Sequence, residues 1–174
     1  AGYAVYRNAA QTSHFRAADD FTVPAGEVWD IDSLCLLAYG TGQAATVSPF
    51  GGAFAQIWNG RPGDVGSSVI WGDMTTNLLT ASAFSGMYRI FNTQVGGLAG
   101  MGTAPGTTRA IFQNDLAVDV TLGPGTYWVD WTYTMTTDTF TSFSPPVTIA
   151  DDRGLPGWNA RQFVGGTVNA WQDV

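Results

Sequence analysis

Apolar and polar residues alternate along this chain in short runs, and glycine or proline separates one run from the next. The runs are rich in Val, Ile, Thr, Tyr, Phe and Trp, which favour a pleated strand. We find no stretch in which apolar residues recur at helical spacing between capping residues. The pattern therefore predicts an all-β chain, with strands near 21–23, 28–39, 54–58, 68–71, 87–91, 108–112, 146–149 and 161–164.

The clearest pattern covers residues 115–135. Apolar side chains occupy every second position from Leu116 to Leu122, and the same period returns between Tyr127 and Tyr133. Residues 123–125 read Gly-Pro-Gly, and these residue types favour a turn. The sequence therefore predicts a β-hairpin over 115–135, with one face of its strands on the core.

The longest run, residues 28–39, is apolar enough for a central strand. Its apolar positions change face near Ser33, which indicates a β-bulge there. Together the runs predict one domain over residues 1–174, a two-sheet antiparallel sandwich of jelly-roll-like type. An immunoglobulin-like sandwich is the alternative, and residues 1–17 are expected to form an extended N-terminal arm.

Composition changes this picture mainly by what it removes. The 174 residues contain one histidine, one cysteine, one glutamate and no lysine, so the usual sources of general bases and nucleophiles are scarce. The net charge of −7 argues against nucleic acid as a partner. No apolar stretch has the roughly 18–20 residues of a membrane-spanning helix. Cys35 lies in the apolar run 34–37, and we expect it to be buried.

Few residues remain as candidates for catalysis. A Ser-His-Asp triad would need His14, which follows Ser13 in a polar segment, and we interpret it as an exposed or locally hydrogen-bonded residue. Asp30 and Asp32 alternate onto one strand face, roughly 6–7 Å apart, a spacing that glycoside hydrolases use. Acids at this spacing more often mark a solvated strand face. We therefore expect no enzymatic activity.

Calcium is the one cofactor that the sequence suggests, since sandwich domains hold it with Asp, Asn and loop carbonyls. The adjacent pairs Asp19–Asp20 and Asp151–Asp152 are the main candidates. The same residues also form turns without any metal. Further acids in turn-rich segments are Asp64 and Asp73, the latter near Asn77.

Tryptophan offers a second kind of site. Trp58, Trp158 and Trp171 lie in or near predicted loops, where exposed rings stack on sugars. The alternative is that these rings fill or cover the core. A polysaccharide is therefore a candidate partner.

Several segments share residue types and order with a known group of proteins. They are Ala18-Asp19-Asp20-Phe21-Thr22-Val23-Pro24-Ala25-Gly26 with Trp29-Asp30-Ile31-Asp32, Ile57-Trp58-Asn59-Gly60-Arg61-Pro62-Gly63, Gly72-Asp73-Met74-Thr75-Thr76-Asn77, Tyr88-Arg89-Ile90 and Leu122-Gly123-Pro124-Gly125-Thr126-Tyr127-Trp128. The chain thereby resembles β-sandwich domains of secreted bacterial surface proteins of the PEP-CTERM-sorted type. That resemblance implies an exported, surface-associated domain. The sorting tail of the family is absent from these 174 residues.

These observations predict a non-catalytic extracellular structural protein that self-assembles into a fibre or biofilm matrix by edge-strand pairing. With no lysine to guard its sheet edges, the chain is poorly protected against such pairing. Tyr3, Val5 and Tyr6, or the C-terminal segment, are the expected donors. A carbohydrate-binding module that uses exposed tryptophan is the alternative.

Overall fold

The structure, a computed structural model, describes residues 2–8, 14–44, 46–89, 107–137, 141–145, 159–166 and 168–174. The described residues form eleven strands. The strands are β1 (Tyr3–Ala4), β2 (Phe15–Val23), β3 (Trp29–Gly40), β4 (Phe50–Trp58), β5 (Val69–Asp73), β6 (Leu79–Tyr88), β7 (Ala110–Leu122), β8 (Gly125–Met135), β9 (Ser142–Ser144), β10 (Arg161–Val164) and β11 (Ala170–Asp173).

The strands form two antiparallel sheets that pack face to face, and this confirms the predicted all-β sandwich. The five-stranded sheet has the order β1-β9-β3-β7-β6, and the six-stranded sheet has the order β11-β10-β2-β8-β4-β5. Among the described strands, only β4–β5, β6–β7 and β10–β11 are sequence neighbours that pair within one sheet. No helix long and apolar enough to span a bilayer occurs in the described part of the chain.

The predicted hairpin over 115–135 is wrong, although both of its strands exist. Strand β7 pairs with β3 and β6, whereas β8 pairs with β2 and β4 in the other sheet. The Gly-Pro-Gly segment therefore carries the chain from one sheet to the other. Alternation of apolar residues shows which face of a strand is buried, but it does not show which strand lies beside it.

Several predicted strand boundaries also change. The runs near 108–112 and 115–122 belong to one strand, β7, and the run near 87 is the end of β6. Residues 90, 91 and 146–149 lie outside the described residues. The predicted central strand is confirmed, because β3 lies in the middle of its sheet, and its register shifts between Ile31 and Ser33 as expected for a bulge.

Two apolar clusters fill the space between the sheets. The larger cluster surrounds Phe50, Phe112 and Tyr133, whose rings meet edge to face. The smaller cluster contains Val23, Ile57 and Leu122 at the end where β2 and β7 leave their sheets. The inward side chains of β8, such as Tyr133, thus pack against the other sheet. The opposite side of β8 becomes an outer face.

The prediction that Cys35 is buried is wrong, since the residue is exposed. Its neighbours Leu34 and Leu36 pack against the core, and side chains alternate along a strand, so Cys35 points outward from the five-stranded sheet. Partial burial, and next the charge of Asp115 on the paired strand, raise the pKa of the Cys35 thiol. An apolar run in a strand is therefore not continuous core, because only alternate positions face inward.

Candidate functional site

The outer face of the six-stranded sheet carries a row of mainly polar residues, part of which is buried. Successive cross-strand partners are Asp173, Arg161, Ala18, Asp130 and Gln56, one from each of five adjacent strands. Paired residues of an antiparallel sheet point to the same side, so these side chains share the outer face. Ala18 and Asp130 are nevertheless fully buried there, and Gln56 is only 7% exposed. Something on this face must cover them.

Asp130 is the centre of this face. Its Oδ2 accepts hydrogen bonds from Gln56 Nε2 at 2.8 Å and from Trp58 Nε1 at 3.2 Å, and Arg16 Nη1 lies 3.2 Å away. Its Oδ1 is buried without a hydrogen-bond partner in the described part of the structure. Burial raises the pKa of Asp130 to about 6, although Arg16 and the two hydrogen bonds favour the charged form. Complete desolvation with one unpaired oxygen makes the upward direction the one we adopt.

Aromatic rings of the C-terminal hairpin, formed by β10 and β11, lie against Arg16, the charged partner of Asp130. The Arg16 guanidinium lies over the ring of Phe163 at 4.4 Å and over that of Trp171 at 5.0 Å. Trp171 in turn meets Phe163 and Trp58 edge to face, with centroids 5.5 and 6.4 Å apart. The main-chain pairing of β10 with β2 is thus reinforced on the outer face by a guanidinium held between rings and a carboxylate.

Two further arginines hold the end of this hairpin. Arg61, in the loop after β4, contacts Asp173 and lies 3.5 Å from Asp64. Arg161 lies 3.4 Å from Asp64 and 3.1 Å from Asp173, and it also donates to the carbonyl of Pro62. Both acids are largely exposed, so each pair contributes little alone. As a network of four charges they fix the hairpin against the 59–64 loop.

The structure brings together two of the three tryptophans predicted to bind sugars. Trp58 and Trp171 meet on the face just described, and both are half-buried. Their rings are perpendicular, and the indole nitrogen of Trp58 is bonded to Asp130. Trp158 lies outside the described residues. A role in binding sugar stays a prediction for all three.

His14 lies at the border of the same face. Its ring stacks on Phe163 with centroids 5.0 Å apart. Partial burial lowers the pKa of His14, and the charges of Arg16 and Arg7 lower it further. A catalytic dyad has the opposite environment, because a carboxylate beside the imidazole stabilises its charged form. His14 is thus half-buried against an aromatic ring, and the absence of a catalytic role stays a prediction.

The described acids proposed for calcium do not lie together in one cluster, and Asp19 and Asp73 accept hydrogen bonds from the protein itself. Asp19 and Asp20 are joined by a hydrogen bond from the Asp20 amide to Asp19 Oδ1 at 3.1 Å. Asp73 accepts hydrogen bonds from the amides and hydroxyls of Thr75 and Thr76, which hold its pKa well below the ordinary value. Asp151 and Asp152 lie outside the described residues. Within those residues no group of three or more His, Cys, Asp or Glu side chains is placed to hold a metal ion.

The candidate pair for glycoside hydrolysis lies on the bulged part of β3. The irregularity between Ile31 and Ser33 occurs at Asp32 and interrupts the simple alternation on which the expected spacing rested. Asp30 accepts a hydrogen bond from Thr121 Oγ1 at 2.6 Å, and Asp32 accepts one from Ser33 Oγ at 3.0 Å. Both carboxylates are thus engaged by neighbouring hydroxyls.

The proposed self-assembly residues lie in a segment that passes between the two sheets of their own chain. Tyr3 and Ala4 pair with β9 in the five-stranded sheet, and Tyr6 exchanges main-chain hydrogen bonds with Phe15 of the six-stranded sheet. Val5, between them, is fully buried in the larger core cluster. Residues 3–7 are therefore docked rather than extended away from the domain.

Sequence reasoning missed the buried network around Asp130. The alternation along β8 puts Asp130 on the face of the strand that does not carry Tyr127 and Trp131, hence on an outer face. It gives no sign that a distant hairpin covers that face.

No protein-family model, no curated protein and no solved structure matches this chain.

Proposed function

We propose that this domain is a non-catalytic structural protein of an extracellular surface or matrix. One observation carries the proposal most directly. The largely buried charges of the outer face serve strand packing: Arg16 and Asp130 join β2 to β8, Arg16 also lies over the ring of Phe163, and Arg161 pairs with Asp64 and Asp173. Charges used in this way support a shape rather than a reaction, because a catalytic group has to reach a substrate.

The placement of these groups within the sandwich supports the same proposal. Asp130, a carboxyl with a raised pKa, lies beneath Arg16 and Trp58 rather than in an open cleft. His14 packs on an aromatic ring. Perturbed groups in this arrangement are typical of structural networks, which also shift pKa values.

Self-assembly by strand pairing is the second part of the proposal. The five-stranded sheet ends at β6, ten residues long, and the six-stranded sheet ends at the five-residue strand β5. Among the described strands each pairs with one neighbour in its sheet, and the chain has no lysine to repel an incoming strand. On β5, Val69 and Ile70 are also exposed. Such edges favour association with a further strand.

An extracellular location is proposed from composition and from the resemblance to PEP-CTERM-sorted surface domains. The chain is poor in charge and rich in Gly and aromatic residues. Low charge leaves a surface weakly protected against association, which suits a matrix component. The domain over residues 1–174 would then be the repeating unit of a fibre or layer.

Negative-stain electron microscopy and sedimentation of the purified full chain over a range of concentrations test the proposal. We expect fibres or layers that grow with concentration. A chain that stays monomeric at every concentration and salt condition would reject self-assembly as its function. Alanine substitution of exposed Val28, which lies between the inner strands β2 and β3, provides a variant that should assemble normally.

A carbohydrate-binding module is the second candidate, supported by the meeting of Trp58 and Trp171 on one face. Half-buried indole rings at a surface can stack on sugar rings. The test is binding of the full chain to a glycan array, with Trp171→Ala as the variant. Loss of a binding signal in Trp171→Ala, while Tyr3→Ala keeps it, supports a sugar site. Absence of any signal rejects it.

A further inference from the structure

The N-terminal strand occupies a groove that recognises it through the main chain. The Val5 amide donates to the carbonyl of Ser142 at 3.0 Å, and Ser142 Oγ donates to the Val5 carbonyl at 2.6 Å. The Arg7 amide donates to the carbonyl of Tyr133 at 2.9 Å, and Gln162 Nε2 donates to the Ala4 carbonyl at 3.0 Å. Strands of both sheets therefore bind one short segment. We name residues 2–7 the N-terminal segment and its binding site the strand groove.

Side chains give the strand groove a sequence preference. A Cβ atom on Gly2 would lie 2.7 Å from the carbonyl oxygen of Ser144 and from the Tyr39 hydroxyl, so the groove requires glycine there. Val5 fills a fully buried position between the sheets. The Arg7 guanidinium lies 4.2 Å from the ring centroid of Phe54. An occupant thus needs glycine at the first position, a small apolar residue three positions later and arginine two positions after that.

The N-terminal segment is held in the strand groove by non-covalent contacts. Arg7 and His14 form an antiparallel bridge, and residues 8–13 join them in the sequence. All other contacts of the N-terminal segment with the groove are non-covalent. A second copy that offers the same segment would make the same contacts. Fully extended, six residues span about 20 Å, which limits how far apart the two copies can lie.

We propose that in the assembled protein the N-terminal segment of each copy occupies the strand groove of the next copy. This inference rests on the self-assembly proposed above and specifies its partner and its contact. The exchange is directional: each copy gives one strand at one place and receives one at another. A head-to-tail contact of this kind that does not close into a ring produces an open filament. Strand addition to β5 or β6 would use different residues.

Crosslinking of the full chain distinguishes exchange of the N-terminal segment from strand addition at β5 or β6. Tyr3 pairs directly with Ser144 in the strand groove, and Tyr3 is 39% exposed, so both positions accept cysteine with little loss of packing. Two chains are made in a Cys35→Ser background, one with Tyr3→Cys and one with Ser144→Cys. They are mixed in equal amounts, assembled, oxidised and separated under denaturing, non-reducing conditions. A chain with Val65→Cys, on a fully exposed loop, replaces Ser144→Cys as the control.

We expect a disulfide-linked pair of the two different chains, at about ten-fold or more the yield of the Val65 control, because a disulfide needs Cα atoms about 4.4–6.8 Å apart. A chain carrying both Tyr3→Cys and Ser144→Cys, oxidised as a monomer, is locked on its own groove. We expect it to lose assembly and to regain it when the disulfide is reduced.

The outcomes distinguish the two proposals. Assembly without the linked pair, or assembly of the locked monomer, overturns the exchange and leaves self-assembly through another contact. Failure of the unmodified chain to assemble at all rejects both. A linked pair that forms only with Ser144→Cys, together with a locked monomer that does not assemble, supports the exchange. Circular dichroism of each variant before mixing shows whether its fold is retained.

Discussion

Replacement of Asp130 by asparagine tests the central claim about the buried face. Asp130 is fully buried, and burial raises its pKa from the ordinary 3.8 to about 6. At about 1.4 kcal/mol per pH unit, this difference corresponds to about 3 kcal/mol between the two protonation states. The amide introduced by Asp130→Asn would keep the shape of the side chain and an acceptor oxygen but would not titrate. The pH dependence that disappears in Asp130→Asn is therefore the contribution of this one carboxyl group.

The direction follows from proton linkage. Between pH 6 and pH 4 the folded protein holds a proton on Asp130 that the unfolded chain has released, so the free energy of unfolding rises as the pH falls. The gain is complete below the unfolded value of 3.8. Between pH 7 and pH 4.5 we expect about 2 kcal/mol of it. The groups that face Asp130 are Arg16 on β2 and Gln56 and Trp58 on β4, and of these only Arg16 is charged.

His14 acts in the opposite direction over the same pH range. Its pKa is lowered in the folded state, so the unfolded chain takes up a proton first and stability is lost as the pH falls below the ordinary value of 6.5. Both the unmodified chain and Asp130→Asn contain His14. The difference between the two chains therefore removes most of its contribution.

Urea denaturation of both chains at several pH values from 7 to 4.5 provides the measurement. We expect the free energy of unfolding of the unmodified chain, minus that of Asp130→Asn, to increase by about 2 kcal/mol on acidification. A difference that decreases would mean that Arg16 holds Asp130 ionised and lowers its pKa. That result would refute the reasoning that burial outweighs the ion pair at this site.

Three further predictions concern packing, backbone and thiol chemistry. Val5→Ala should lower the free energy of unfolding by about 2–3 kcal/mol, because Val5 is fully buried. Val47→Ala, at an exposed position, should change it little. Equal effects of the two substitutions in urea denaturation would contradict the docking of the N-terminal segment. Gly72→Ala should lower the free energy of unfolding more than Gly26→Ala does. Both glycines have left-handed φ angles, which cost alanine about 1–2 kcal/mol. Of the two, only Gly72 would also place the new Cβ 2.5 Å from a carbonyl oxygen, that of Ala55. Equal losses in thermal unfolding would show that this contact relaxes freely. Cys35 should react with iodoacetamide in the folded protein, but more slowly than a cysteine peptide at pH 8, because the pKa of its thiol is raised. Mass spectrometry measures the labelled fraction over time. Labelling that occurs only in denaturant would show that the thiol is covered.

Much of the strand content follows from local patterns. The period of two in β7 and β8 and the apolar run of β3 predict strands at nearly the observed places, because a half-buried strand must alternate. The bulge near Ser33 is also visible in the sequence as a change of face. The same alternation, applied to residues 34–37 in place of one continuous buried run, places Cys35 outward as the structure does.

The pairing of strands is beyond these patterns. The segment between β7 and β8 has the residue types of a hairpin turn, yet the two strands lie in different sheets. A short turn-forming segment is compatible with either arrangement. The choice depends on which other strands are available as neighbours, namely β3 and β6 for one and β2 and β4 for the other.

By itself, the sequence determined that this protein is a sandwich of short strands with few groups for acid–base chemistry, since both properties depend on residue type and local spacing. Only the tertiary structure decided that Asp130 is buried and that Val5 fills the space between the sheets. Arg16 and Trp171 are far apart in sequence and meet on the outer face because β10 and β11 pair beside β2. Burial of an outer strand face depends on what folds over it, and that is set by long-range pairing rather than by the residues of the strand.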